Sequence, residues 1–468
     1  MKANTKYILD TILNLLYWST LSACTVGPGT VVTCARAGYA YGFQLIWALG
    51  FASILAYTLQ EGAARLTINS GRSLGECIRY KYAHAYPIYK TALICWIISI
   101  SVFIGNTFYE ANNFAGGLAA IYTLPPVYET VITRVVTCLI YAAIVIALLV
   151  FDSTQSLGYL LGGIMVFMII LFSVVVAHLP VDPLNLLHGT FIPKIPPGSA
   201  DIVISLVGTT SLGFNLFLGS SMAEGKSMNS MRFGIAFSTL SAFIVSSLIL
   251  IVGSGVDNKV SKSASSFSIE RLSSLVKAIT GEVGVYIFSL GFVAAALSSM
   301  LAVPLGAGLT IQSVFTDTED ESVEIGKGTQ KSTFPKYIYI GLQIVMVIIS
   351  IVVISSGVKP EHVIQLAQVV NGCILPFFSI LLLLCINDSN FMGGENKQPI
   401  LSNIVMIICV TITLFLAMNS IIDNIFGTFK NDTHFETIKL SCSGVISVLA
   451  MTLLLFFGQI YKKILPIN

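Results

Sequence analysis

The feature that most constrains this chain is a hydrophobic run broken at its centre by Gly27-Pro28-Gly29. Apolar sequence enters the stretch Leu21–Gly38 from Tyr7 and leaves it past Phe43, which places the break at membrane depth. Pro28 lacks an N–H and clashes with a preceding helical turn, and each Gly costs a helix about 1 kcal/mol against Ala. In lipid, freed backbone groups have no water to bind, so a broken helix survives only inside protein or along a cavity. A second interruption, GTTSLGFNLFLGSS over Gly208–Ser221, lies one repeat later. Two breaks in corresponding places point to a solute site at the membrane midplane.

The rest of the chain agrees with a membrane setting. Of 468 residues 55% are hydrophobic and 10% charged, against about 25% charged in soluble domains. A net charge of +2 with no basic run gives no reason to expect a nucleic-acid partner. The nine cysteines are scattered without a CxxC pair, so they read as small buried apolar residues. No nucleophile–base pair, metal cluster or phosphate loop argues for an enzyme, and no cofactor is expected. The N-terminal ten residues lead straight into a full-length apolar segment, without the pattern of a cleavable signal.

Hydropathy predicts an all-α integral membrane protein of about twelve spans. They fall near residues 8–40 (broken), 43–67, 87–121, 129–151, 156–180, 200–228 (broken), 231–254, 281–314, 337–356, 360–386, 400–423 and 437–464. Each broken span is followed by four more. This is a 5+5 inverted-repeat layout, with repeat one about 8–180, repeat two about 200–386 and accessory helices about 400–464. Neither half buries its own core, so residues 1–468 are expected to form a single transmembrane domain. Placing both termini in the cytoplasm puts the larger share of Lys and Arg inside. The charged segment 317–335 then becomes a cytoplasmic loop.

The residues that could carry chemistry cluster at the breaks. Thr25, Gly27, Gly29 and Thr30 flank the first, with Thr33 nearby; Thr209, Thr210, Ser211, Leu212 and Asn215 flank the second. Half-helix ends there present unpaired N–H groups, carbonyls and dipoles. Each hydroxyl can alternatively bond back to its own helix. Arg36 is the one cation within the first span, facing either the cavity or the outer mouth. Glu110 is the best-placed membrane acid, a candidate for ion coupling or gating; Glu61 and Glu224 are expected to cap or to pair with Arg65 and Lys226. On span 10, Gln365, Gln368 and Asn371 share roughly one face.

The runs GPGTVVTCARAGYAYGFQLIWAL, LQEGAARLTINSGRSLGE, GTTSLGFNLFLGSS, FVAAALSSMLAVPLGAG and AQVVNGCILPFFSILLLLCINDSNFMG resemble the Nramp family of proton-coupled divalent-metal transporters. The resemblance covers spans 1 to 10 in order and implies a LeuT-type fold working by alternating access. It also implies a metal site at the breaks, where this chain departs from the family pattern. The family's Asp-Pro-Gly-Asn is Gly27-Pro28-Gly29-Thr30 here, and its Met-Pro-His-Asn is Leu212-Gly213-Phe214-Asn215. The carbonyl ligand corresponds to Thr209, the acidic pair of span 3 to Thr107 and Glu110, and the span-10 Gln to Gln368.

Two substrate readings follow. Loss of the carboxylate and thioether argues against a soft transition metal, so no metal-ligand set is assigned; a small anion such as bicarbonate, or a small polar solute, suits helix N-termini, hydroxyls and Arg36. The alternative keeps divalent-metal transport of Mg²⁺ or Mn²⁺ with altered ligands. The coupling ion would be H⁺ or Na⁺ and the setting a bacterial inner membrane. A non-transporting receptor is a third class.

Overall fold

The computed structural model describes residues 15, 17, 18, 21, 24–82, 87–88, 91–124, 130–151, 169–256, 267–315, 336–393, 398–425 and 439–452. The charged loop 317–335, Asp152 and most of the leading half of span 1 lie outside the described residues.

Helices dominate. Past the first break come α1 (Pro28–Tyr41), α2 (Ile46–Ser70), a short α3 (Leu74–Tyr82), α4 (Leu93–Tyr122) and α5 (Val131–Phe151). A helical stretch over 169–177 belongs to span 5. The second half holds α6 (Pro183–Phe191), the broken pair α7 (Ala200–Thr210) and α8 (Gly213–Met222), α9 (Met228–Ser254), α10 (Ile269–Phe315), α11 (Lys336–Ser355) and α12 (Pro360–Ile386). Accessory helices α13 (Ile400–Ile425) and α14 (Lys439–Thr452) follow. Among the described residues, six helical segments are long and apolar enough to cross a membrane, with α7 and α8 counted together. A two-residue antiparallel pair, β1 (Pro87–Ile88) and β2 (Thr91–Ala92), precedes α4.

The broken spans and the helices after them match the expected order, with boundaries moved by a few residues. Three differences have local causes. Span 3 begins at Leu93, because Thr91–Ala92 just before it pairs with Pro87–Ile88 as a short strand. The loop between spans 5 and 6 contains α6, whose Asp182 caps it by accepting from Leu184 N at 3.0 Å ahead of Pro183. The loop expected before span 8 is helical from Ile269 and joins the span across a kink at Gly281, whose φ of 74° only Gly adopts readily.

The centre of the bundle is α4, packed against α10, α11 and α12, while α9 lies along α1 and α2. Gly38 and Gly253 let α1 and α9 approach backbone to backbone: a Cβ on Gly38 would run into the Leu250 carbonyl, and one on Gly253 into Ala35. Without a hydrophobic drive between helices in lipid, such small-residue contacts supply the packing. The result is the LeuT-type 5+5 arrangement with broken first and sixth helices, both breaks buried at the centre.

Candidate functional site

Each break is short. In the first, helix ends at Thr25, Val26 and Gly27 bend, and Pro28 opens α1. Pro28 therefore acts as a helix starter, in the first turn, where its missing N–H costs nothing. Gly27 has φ −106° and ψ −168°, and its carbonyl accepts from Thr30 N at 3.1 Å and Val31 N at 3.2 Å. In the second, only Ser211 and Leu212 leave the helical region, between α7 and α8.

Hydroxyls stitch the two breaks together. Thr30 Oγ1 donates to the Thr25 carbonyl at 2.6 Å, across the first break. Its single hydrogen is then committed, so the 2.7 Å contact with Thr209 Oγ1 is a bond that Thr209 donates. Asn215 Nδ2 donates to Thr25 Oγ1 at 3.2 Å, and Thr25 Oγ1 donates to the Leu21 carbonyl at 2.8 Å. Ser211 instead ties its break to α2, donating to the Ala52 carbonyl at 2.9 Å.

Side chains from three other helices fill the space beside Gly27 and Gly29. A Cβ at Gly27 would collide with Ser299 Oγ of α10, with Asn113 Oδ1 3.7 Å away. A Cβ at Gly29 would overlap the Gln368 amide of α12 and approach Asn112 Oδ1 to 3.1 Å. Asn112 Nδ2 donates to Asn113 Oδ1 at 3.2 Å, and Asn113 Nδ2 to Glu110 Oε2 at 3.2 Å, so the α4 amides link Glu110 to the break. Glu110 is 0% exposed, and no basic side chain pairs with it among the described residues. Glu110 Oε1, Asn112 Oδ1, Ser299 Oγ, Asn215 Oδ1 and both amide atoms of Gln368 are buried without a hydrogen bond among the described residues. Buried polar atoms normally have a partner, and a bound ion or water is one that would complete these.

Thr25, Gly27, Gly29, Thr30, Thr209, Asn215, Gln368 and Glu110 thus come together, while Thr210 turns toward a separate space beside α2 and α9. Leu212 contributes no polar contact: with Tyr109, Phe214 and Val303 it forms a small apolar wall. Arg36 Nη1 donates to Gln365 on α12, which ties it to span 10. Thr107 and Asn371 bond back to Phe103 and Ala367 carbonyls of their own helices. Glu61 holds Arg65 at 2.8 Å, as expected, and Arg232 at 2.9 Å as well. Lys226 lies 4.3 Å over the Tyr17 ring. Among the described residues no group of three His, Cys, Asp or Glu gathers.

Asn112, Asn113 and Ser299 are the site residues that sequence reasoning missed. The adjacent amides one turn beyond Glu110 carried a signal, being polar at membrane depth. Ser299, in a small-residue run, carried none.

A family profile described as natural resistance-associated macrophage protein-like matches residues 20–423. The chain belongs to the Nramp family. Nramp relatives include a divalent metal cation transporter of Xylella fastidiosa, 24% identical over 384 residues, covering 78% of this chain and 76% of the relative. Another, of the same description, from Levilactobacillus brevis is 23% identical and covers 87% and 91%. The fold matches a crystal structure of the Eremococcus coleocola manganese transporter with a TM-score of 0.72 at 17% identity, over 97% of this chain and 95% of that one. MhsT in complex with L-phenylalanine shares the fold more distantly, with a TM-score of 0.59, 14% identity and coverage of 86% and 98%. This Nramp protein is therefore a multi-pass membrane transporter.

Proposed function

We propose that the protein is a secondary transporter that moves a divalent metal cation by alternating access. The observation that carries this is the set of unsatisfied oxygens around Gly27 and Gly29, joined through Asn113 to the buried carboxylate of Glu110. In the family pattern the ligands project from the breaks themselves. Here Asn112, Ser299 and Gln368 reach into the space that Gly27 and Gly29 leave, so the donors come from the surrounding helices. Amide, hydroxyl and carbonyl oxygens with one carboxylate are hard ligands. They suit a cation that keeps part of its water shell, as Mg²⁺ does, better than a soft ion that seeks thioether or imidazole. Two half-helices hinged at Val26–Gly27 and Ser211–Leu212 supply the moving parts.

The small-anion reading, with bicarbonate as its example, has less support. The relatives are described as divalent metal cation transporters, and Arg36, the cation it invoked, is held by Gln365. A carboxylate that no basic side chain pairs needs a bound cation or a proton to offset its charge. Glu110 then serves either as a ligand or as the site of a coupled proton. The reading includes one domain, both termini in the cytoplasm and an inner-membrane location.

Uptake into proteoliposomes of Mg²⁺, Mn²⁺, Cd²⁺ and bicarbonate tests it. Saturable Mg²⁺ uptake exceeding that of Cd²⁺ is expected. Bicarbonate uptake with no divalent cation moved would overturn it.

A further inference from the structure

Within the apolar wall of Tyr109, Leu212, Phe214 and Val303, Tyr109 alone carries a polar side-chain atom. Its ring stands edge-on to Phe214, with centroids 6.3 Å apart, and is 0% exposed. Packing fixes the ring, so the phenol oxygen keeps one place, beside Thr209 and Gln368. That oxygen meets hydrogen-bond geometry with neither, and both amide atoms of Gln368 also lack a partner among the described residues. A buried phenol usually finds a partner, and this one has two polar side chains beside it.

The breaks decide which way those bonds run. Thr30 gives its only hydroxyl hydrogen to the Thr25 carbonyl, which can only accept. Thr209 therefore gives its own hydrogen to Thr30, and its oxygen is left as an acceptor. Between Tyr109 and Thr209 the phenol is then the donor. With its hydrogen committed there, the phenol oxygen can only accept from Gln368, so the amide NH2 is the group it holds. An amide held at its nitrogen has its oxygen on the other edge, free for another partner. The hydrogen-bond network, and not the shape of the group, decides which edge of an amide points where.

We infer that Tyr109 is a positioning residue for the substrate cation: it heads a one-way chain through Thr209 and Thr30 to the Thr25 carbonyl, holds the Gln368 NH2, and so presents the Gln368 oxygen to the ion. The inference rests on the divalent-cation reading above and adds the residue that makes Gln368 an acceptor toward the substrate. The chain also ties the amide to the state of the breaks. Parting Thr30 from Thr209 frees the Thr209 hydrogen to turn to the phenol oxygen, and the phenol hydrogen to turn to the amide oxygen. The reversed chain withdraws that oxygen from the ion, which is released as the breaks part.

The test is calorimetric Mg²⁺ binding by the purified full-length chain in detergent, with Tyr109→Phe made in two backgrounds. That change keeps the ring against Phe214 and removes only the oxygen. In the parent it is expected to weaken Mg²⁺ binding about tenfold. Gln368→Glu puts an oxygen on both edges of the side chain, so orientation no longer matters, and Tyr109→Phe is expected to leave affinity unchanged there. A role in packing alone would cost the same in both backgrounds. Should Gln368→Glu fail to stay monodisperse, Thr209→Val replaces it: it already breaks the chain, and Tyr109→Phe is expected to add no further loss. Equal affinity of the parent and Tyr109→Phe, or an equal loss in both backgrounds, overturns the inference and leaves the divalent-cation reading standing. A monodisperse parent that binds no Mg²⁺ refutes that reading, and this inference with it.

Discussion

The hydroxyls of Thr30 and Thr209 meet at 2.7 Å, one from each broken helix. Thr30 also closes its own break by donating to Thr25. One side chain therefore holds the first half-helix to α1 and α1 to α7. An element that moves in transport has to make and break such a contact, and a neutral pair worth about 1 kcal/mol net suits that better than an ion pair.

Thr30→Val keeps the side chain's shape and removes both bonds. We expect a loss of about 1–2 kcal/mol in thermal stability, together with a larger proportional loss of transport. Unfolding followed by heating, alongside proteoliposome uptake, checks both. Uptake unchanged at lowered stability would assign the pair to folding only.

Glu110→Gln retains the hydrogen bond from Asn113 to a side-chain oxygen and removes the charge. Normal expression and a monodisperse profile are expected, with slowed divalent-cation uptake that no longer varies with pH. Uptake that keeps the parent's rate and pH profile would place coupling elsewhere.

Restoring the family's ligands tests why they are absent. Gly27→Asp alone drives its Cβ into Ser299 Oγ, so we expect poor folding or no gain. Gly27→Asp with Ser299→Ala and Leu212→Met supplies carboxylate and thioether in cleared space, and Mn²⁺ binding by calorimetry is expected to appear. Tight Mn²⁺ binding by the unmodified chain would contradict the hard-ligand account.

Glu61 separates a structural ion pair from a functional one. Arg65 is 3% exposed and Arg232 44% exposed at their side chains. Glu61→Gln strands Arg65 in the interior, which costs roughly 3–5 kcal/mol for a buried pair. Arg232→Gln breaks an exposed contact and costs about 1 kcal/mol or less. Melting temperatures in one detergent compare the two directly.

Much of the fold was legible because lipid leaves few choices. Gly27, Pro28 and Gly29 sit where a helix must be paid for in unsatisfied backbone, and the same holds at Leu212-Gly213, so both breaks could be placed from the letters alone. What those residues do locally was less visible: Pro28 starts α1, since its role depends on which residue ends the preceding half-helix. Asn112 and Ser299 reach the break only through the packing of α4 and α10 against α1, a relation across more than eighty and two hundred residues of chain that no local pattern encodes. Arg36 illustrates the same point, because its partner Gln365 lies on α12.

The most direct test of the site is a calorimetric titration of the purified protein with Mg²⁺, compared with Asn112→Leu and Gln368→Leu. Both variants remove a polar amide beside Gly29 and leave the residues of either break unaltered. The account predicts saturable Mg²⁺ binding by the parent, weakened at least tenfold in each variant. Binding that is unchanged in both variants, or absent from the parent, would contradict it.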